Sequence, residues 1–211
     1  MLALIKREIQ DCIVYFIAAV VFSALLAIVL VEAVFNYDSR NPPVVAISLG
    51  VVLGIIVTLG LCGMGAGQMY LDKTRRISAF ISTLPVSRSR ILLARIVSGI
   101  LAILILLVPL AITATLLLLV FTPPIPPIYA GIVLEISTAA FLLAFACYCI
   151  GLQTGWNSSA LTPTLGALGL TCLFVPLVVV KGFGPEIVLI LVLFIAASLF
   201  RTWHNFSSTS L

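Results

Sequence analysis

The sequence predicts an all-α fold, a polytopic membrane protein with six transmembrane helices and a short amphipathic helix between the second and third. Apolar residues make up 63% of the 211 positions, charged residues only 9%, and the mean hydropathy is +1.33. A soluble domain carries about 25% charged residues. The apolar residues also fall in runs of the roughly 20 residues that cross a bilayer. Lipid is therefore the expected solvent for most of this chain.

The runs divide the chain into six predicted spans within a single transmembrane domain, residues 1–211. Their approximate bounds are 12–35, 44–71, 91–121, 128–153, 161–180 and 187–201. A polar turn separates the first pair of spans, and a proline-rich stretch that cannot be helical follows the third. As a straight helix the third span would measure about 46 Å at 1.5 Å per residue. Because the hydrocarbon core is about 30 Å thick, we expect its start, including Arg95, to protrude into the cytoplasm.

The basic residues predict the orientation, since cytoplasmic loops of membrane proteins carry an excess of Lys and Arg. With the N-terminus inside, nine of the eleven basic residues are cytoplasmic, and only Arg40 and Lys181 lie outside. The start of the chain lacks the order of a cleavable signal, so the first span is expected to be retained. We therefore predict a multi-pass protein of the cell (inner or plasma) membrane with both termini in the cytoplasm.

The one substantial polar segment, residues 72–90, predicts an amphipathic helix. Its apolar stripe has helical spacing and consists of Ile77, Phe80, Ile81 and Leu84. Arg75 and Arg76 lie on the other faces. Pro85 ends this helix, and Ser87 can cap a following helix that begins near Arg88. The pattern alone fits a basic interfacial loop and a docking element for a cytoplasmic partner equally well.

Residues 81–95, with the sequence ISTLPVSRSRILLAR, resemble the Leu-Pro-[Val/Ile]-Ser-Arg…Ala-[Lys/Arg] segment of type-2 ABC exporter permeases. In that family the segment also follows the second transmembrane helix. The six-span layout of the family covers essentially the whole chain. One departure is the sequence DKTRR at residues 72–76, where family members often carry an acidic residue and a Gly-Thr or Gly-Ser pair. The subfamily and the substrate therefore stay open.

The resemblance implies a coupling helix around residues 74–84 that docks on a separate nucleotide-binding ATPase subunit. The residues implied in docking and coupling are Arg75, Arg76, Ile77, Phe80, Ile81, Leu84 and Arg88. The sequence has no Walker A pattern, so this chain is not expected to be an enzyme or to hold a cofactor, and ATP and Mg belong to the partner subunit. A second copy of the permease or a sibling permease completes the expected assembly in membrane lipid, without nucleic acid.

Three further features inside the spans are candidates for function. Gly63 and Gly67 fit the GxxxG spacing of closely packed helices, within the chain or across a dimer, and a hinge is the alternative. Glu135 is the one carboxylate well inside a span, so either a pathway contact or a buried polar contact between helices is expected. The five cysteines lack the spacing of a metal or redox site and are interpreted as packing residues.

These observations favour a permease subunit of an ABC exporter for an amphipathic, lipid-like, peptide or drug-like substrate. A haem-exporter-type permease of cytochrome c maturation is a related alternative. A secondary transporter would show more intramembrane charges and internal repeats than this sequence does. A membrane scaffold that transports nothing is a further alternative. An intramembrane enzyme would need clustered His, Asp or Cys ligands or a Ser–His pair, which the sequence lacks, so no catalytic or metal-binding residue is assigned.

Overall fold

The computed structural model describes residues 8, 10–36, 44–74, 88–121, 127–156, 169 and 185–208. Within these ranges the regular structure is entirely α-helical, as the sequence predicts. The helices are α1 (Ile13–Phe35), α2 (Val44–Thr74), α3 (Arg88–Phe121), α4 (Pro127–Trp156) and α5 (Pro185–Ser208). They fall on five of the six predicted spans. The predicted amphipathic helix and the predicted span 161–180 lie almost wholly outside the described residues.

All five helices are long and apolar enough to cross a membrane. The shortest, α1, has 23 residues and is therefore about 35 Å long at 1.5 Å per residue. Large apolar side chains project from the outer surface of the bundle, for example Val45 at 81% and Leu134 at 72% exposure. A water-soluble protein would bury such side chains, whereas in lipid they are in a favourable solvent. These features are consistent with a membrane-embedded protein.

One end of the bundle, which we name the basic end, is where α1 and α3 begin and where α2, α4 and α5 end. Every basic position that the structure describes lies on the helix segments at this end, namely Lys73, Arg88, Arg90, Arg95 and Arg201. Contacts between helices establish these directions. Gln68, near the end of α2, contacts Cys12 before α1 and Ser98 near the start of α3. Helices α1 and α3 therefore run away from the basic end, and α2 runs toward it.

Helices α4 and α5 run in the same direction although they are consecutive in the described chain. The Ser198 hydroxyl of α5 donates to the backbone oxygen of Cys149 at 3.3 Å. One turn further along both helices, Gln153 faces Arg201, and in the amide orientation that satisfies both partners its oxygen accepts from Arg201 Nε and Nη1 at 3.3 Å. Later residues of one helix thus meet later residues of the other. Both helices end at the basic end.

Helices α2 and α4 form the most extensive contact in the bundle, and glycines bring their backbones together. A Cβ atom at Gly65 would lie 2.5 Å from the backbone oxygen of Tyr148 and 2.8 Å from the backbone nitrogen of Leu152. Gly151 and Gly155 of α4 approach the α2 backbone in the same way, against Cys62 and Ala66. We call this contact the glycine seam. Since its neighbours are backbone atoms, a side chain there could not be accommodated by rotation.

Gly63 and Gly67, the pair selected from the sequence, do not lie in the glycine seam. A Cβ atom at Gly63 would meet no described atom within 4 Å, and one at Gly67 would meet only the Tyr15 hydroxyl, at 3.2 Å. Helix α2 continues through both positions. The described residues therefore place the close approach within the chain at Gly65 instead. Packing of Gly63 across a dimer, and a hinge, remain predictions.

The glycine seam predicts that an alanine at Gly65 and an alanine at Gly63, two residues away, affect stability differently. Gly65→Ala should destabilise the protein by about 1–3 kcal/mol, because an overpacked methyl group forces the α2 and α4 backbones apart. Gly63→Ala is the matched control and should leave stability unchanged or slightly raised. Thermal unfolding in detergent measures both. Equal effects of the two substitutions would contradict the seam.

Candidate functional site: a buried polar cluster at the basic end

Polar side chains from α2, α3, α4 and the residues preceding α1 meet inside the bundle near the basic end. We call this group the polar cluster. Its members are Glu8, Cys12, Gln68, Met69, Arg95, Ser98 and Tyr148. Arg95 is 2% exposed, and Ser98 and Tyr148 are fully buried. Burying polar groups is unfavourable unless they are hydrogen-bonded, so the contacts within the cluster determine whether it stabilises the fold.

Gln68 is at the centre of the polar cluster, and each polar atom of its amide has a partner. Its nitrogen donates to the Ser98 hydroxyl at 3.1 Å and to the Cys12 sulfur at 3.2 Å. Its oxygen accepts from the Tyr148 hydroxyl at 2.7 Å. A side-chain amide has two donor hydrogens and one acceptor oxygen, so this arrangement uses all of them. Gln68 thereby joins α2 to the start of α1, to α3 and to α4.

Tyr148 brings α4 into the polar cluster and also packs against α3. Its hydroxyl lies 2.7 Å from the Gln68 amide oxygen and 2.8 Å from the backbone oxygen of Arg95, with the proton directed to these two acceptors. The ring lies over Gly99, where a Cβ atom would overlap its carbon atoms. The ring also stacks on Phe145, with the two centroids 6.3 Å apart. A large aromatic side chain reaches the centre of the bundle here because α3 has a glycine opposite it.

Arg95 connects α3 to the residues that precede α1. Its Nε lies 3.5 Å from a carboxylate oxygen of Glu8, whose side chain is 18% exposed. Its Nη1 donates to the sulfur of Met69 on α2 at 3.0 Å. A thioether is a weak acceptor, so the carboxylate is the partner that balances the buried charge. The ion pair joins residues 8 and 95, and it holds the chain before α1 against α3.

The polar cluster is suited to joining helices and not to nucleophilic chemistry. The pKa of the Cys12 thiol is raised, because the effect of burial is larger than the opposing effect of the hydrogen bond from Gln68. A thiol with a raised pKa stays protonated and reacts poorly. The Ser98 hydroxyl donates to the backbone oxygen of Arg95 at 2.8 Å, one turn earlier in α3. Four described cysteines are free and buried, which agrees with their interpretation as packing residues.

A cavity of about 480 Å³ lies in the half of the bundle away from the basic end. Helices α1, α2, α3 and α4 all contribute to its wall. A smaller cavity of about 60 Å³ lies closer to the polar cluster, between α1, α2 and α3. Leu106 lines the smaller cavity and Leu107 the larger one, so this turn of α3 lies between them. The bundle therefore has a polar interior at one end and an apolar cavity at the other.

The residues selected from the sequence for docking fall mostly outside the described ranges. Arg75, Arg76, Ile77, Phe80, Ile81 and Leu84 belong to residues 75–87, which the structure does not describe. Arg88 is the first residue of α3, where the sequence predicts a helix start after Ser87. Docking by these residues remains a prediction.

Glu135 lies on α4 with an exposed side chain. Four other residues of the same helix line the large cavity, namely Val133, Ile136, Ser137 and Ala140. The helical period of about 3.6 residues places Glu135 on the face of α4 away from those four. The described structure therefore puts this carboxylate on the bundle surface, apart from the cavity wall. A role in the pathway or in contacts with another subunit remains a prediction.

The polar cluster is the feature that sequence reasoning missed. The sequence predicts Arg95 at the protruding start of the third span, which stays a prediction, but it did not indicate that the side chain is 2% exposed and paired with Glu8. Two signals in the sequence indicate the cluster. Arg95 lies inside an apolar run, and Gln68 is an isolated amide near the end of another. Polar residues in such runs usually face the bundle interior and pair with one another.

Comparison of the chain with protein-family models, with curated proteins and with solved structures finds no match.

Removing one hydroxyl from the polar cluster tests its contribution to stability. Tyr148→Phe should destabilise the protein by about 1–3 kcal/mol, because the buried Gln68 oxygen loses its donor. Tyr15→Phe is the control, since Tyr15 is 37% exposed at the bundle surface, and its effect should stay within about 0.5 kcal/mol. Thermal or denaturant unfolding in detergent measures the difference. A Tyr148→Phe protein as stable as the control would show that the hydroxyl is not required.

Proposed function

We propose that this chain is the permease subunit of an ATP-binding-cassette exporter, coupled to a separate ATPase subunit. The proposal begins from the resemblance of residues 81–95 to the type-2 exporter permeases. One feature of the structure also supports the proposal. Residues 75–87 connect α2 to α3, and the polar cluster joins these two helices about two turns from that segment. Force applied to that segment would be transmitted through Gln68 and Arg95 to α1 and α4 as well.

Such an arrangement suits a coupling element better than it suits a passive loop. A basic interfacial loop needs only to place positive charge on one side of a membrane. Here Arg95, about two turns into the helix that follows the loop, is buried and held by Glu8 and Met69. The Gln68 amide makes all of its hydrogen bonds, and Arg95 Nε makes a 3.5 Å ion pair with Glu8. Buried polar contacts of this kind hold side chains in place and can transmit displacement. The polar cluster would thus make the basic end move as one unit when a partner pushes on it.

A six-crossing topology is part of the proposal, and the direction of α5 supports it. Helices α1 to α4 alternate in direction, whereas α4 and α5 run the same way. If both cross a bilayer, residues 157–184 must return from the basic end to the opposite side. This segment has 28 residues, which as a helix would reach about 42 Å. It contains the predicted span 161–180, and the resulting topology places both termini on one side.

The basic end is proposed to face the cytoplasm. All described basic positions lie there, which follows the positive-inside rule for a multi-pass protein of the cell membrane. The ATPase subunit would dock on this face with its ATP and Mg, and a second permease copy or a sibling permease would complete the transporter. The predominantly apolar wall of the cavity favours a lipid-like or otherwise amphipathic substrate over sugars or free ions.

Cysteine accessibility tests the proposed topology. A cysteine introduced by Glu186→Cys should react with an impermeant maleimide from the same side as one introduced by Asn36→Cys. A cysteine introduced by His204→Cys should react from the other side, together with one introduced by Gln10→Cys. The native described cysteines are buried, so their labelling should be low. If the His204→Cys protein reacts from the side of the Asn36→Cys protein, the chain has an odd number of crossings.

Co-purification and charge reversal test the exporter function. A nucleotide-binding chain should co-purify with the permease from native membranes in mild detergent, and ATP should drive substrate movement. The double variant Arg75→Glu and Arg76→Glu should lose most of the bound ATPase, because reversed rim charges repel a complementary partner. Lys181→Glu, proposed to lie on the other side, is the control and should retain it. The coupling assignment is wrong if no such chain co-purifies and the double variant behaves like the control.

A further inference from the structure

The large cavity lies between four helices, and half of its fourteen described lining residues are small. The small ones are Ala33, Ala46, Gly50, Ala111, Ala114, Ser137 and Ala140. Five are alanines and one is glycine, and each leaves space that a larger apolar residue would fill. Near the basic end, the same helices are joined by the glycine seam and the polar cluster instead. The cavity therefore follows from where this sequence places its small residues.

The chemistry of the wall excludes polar ligands and ordered water. Among the lining residues that the structure describes, Ser137 has the one side-chain hydroxyl, and none is charged. A buried water needs two to four polar partners, which one hydroxyl does not provide. Glu135 cannot serve, since it lies on the other face of α4. A sugar, nucleotide or inorganic ion would lose its hydration without gaining hydrogen bonds.

The size of the cavity indicates an elongated hydrocarbon occupant. A volume of about 480 Å³ is many times the ~10–15 Å³ that a cavity needs to hold a single water molecule, so a multi-carbon chain fits in it. A void of this size left empty would deprive its lining of dispersion contacts on one side. In a bilayer, acyl chains are the abundant molecules with the required apolar surface and narrow cross-section. Their entry needs no loss of hydration, because lipid tails are as apolar as the leucines that line the cavity.

We infer that this cavity is an acyl-chain-binding site, holding the hydrocarbon chain of a lipid or lipid-like molecule between α1, α2, α3 and α4. The chain has two sources, a resident membrane phospholipid or the cargo of the exporter. Binding itself requires only that the protein is embedded in lipid. Identification of the ligand as cargo rests on the proposed function, and it would narrow the substrate class to molecules with a long alkyl chain.

Photolabelling of the full chain in vesicles tests the site. The vesicles consist of palmitoyl-oleoyl phosphatidylcholine with a trace of phosphatidylcholine that carries a diazirine in its palmitoyl chain. After irradiation, mass spectrometry should locate adducts on the cavity segments around Ala111 and Ser137. Leu189 and Leu193 on the exposed face of α5 serve as the reference for ordinary lipid contact, since they are 62% and 60% exposed.

Filling the cavity should abolish its labelling selectively. Ala111→Phe and Ala140→Phe should each lose the cavity adducts and keep those at Leu189 and Leu193. Ala24→Phe is the matched control, because Ala24 is exposed on α1 and does not line the cavity, and it should keep both sets. Ala111→Leu is a smaller change for the case in which phenylalanine prevents folding, and it should reduce the cavity adducts. Retention of the α5 adducts shows that each variant is inserted in lipid.

The timing of probe addition separates the two sources. Cavity labelling from probe added to preformed vesicles identifies an exchanging chain, as cargo must be. Labelling only when the probe is present during reconstitution identifies a resident lipid, and both results support the acyl-chain site. The inference is overturned if wild-type protein is labelled at Leu189 and Leu193 but not in the cavity, or if the filled variants keep the cavity adducts. No ATPase is present, so failure of the exporter proposal would leave this result unchanged.

Discussion

A buried guanidinium requires a counter-charge and hydrogen-bonding partners, and the arrangement of the basic end follows from that requirement. Arg95 is inside the bundle, so Glu8 must approach it, and the chain before α1 is thereby held against α3. Gln68 and Tyr148 then complete the surroundings of the same turn of α3. Removing one member leaves others buried without partners, which is more unfavourable than the loss of a single hydrogen bond. Polar contacts of this kind fix the relative positions of helices that apolar packing alone would let slide.

The polar cluster and the glycine seam depend on each other. Tyr148 can reach Gln68 only because Gly99 admits its ring and because Gly65 lets α4 lie directly against α2. The hydrogen bond from the Tyr148 hydroxyl to Gln68 in turn fixes the position of α4 along the axis of α2. Away from this region the small residues no longer face a partner backbone, and the helices enclose the large cavity. One bundle thus combines a tightly joined end with an end that contains a cavity, an arrangement that is compatible with the proposed coupling at the basic end.

Much of the fold could be predicted from the sequence, because length and apolar composition determine which segments form long helices. The starts of α2 at Val44 and α3 at Arg88 agree closely with the polar and proline signals. The partners of the helices could not be predicted, since pairing depends on which side chains meet. GxxxG spacing indicated Gly63 and Gly67, whereas the backbone approach occurs at Gly65, where Tyr148 and Leu152 face it. Arg95 was likewise visible as a charge in an apolar run, but its burial depends on Glu8, 87 positions earlier.

The glycine seam also has a consequence for how the sequence of this protein can change during evolution. Where backbone meets backbone, hydrogen is the largest substituent that fits, so natural variation at Gly65, Gly151 and Gly155 would be purged. Cavity positions such as Ala111 and Ala140 border empty space and can accept larger apolar residues without disturbing the seam. Substitutions at cavity positions could therefore change the shape of the proposed ligand site repeatedly. The glycine seam would meanwhile keep α2 and α4 in the same relative position. Under the proposed function, ligand selectivity and mechanical coupling could then change independently in a single small chain.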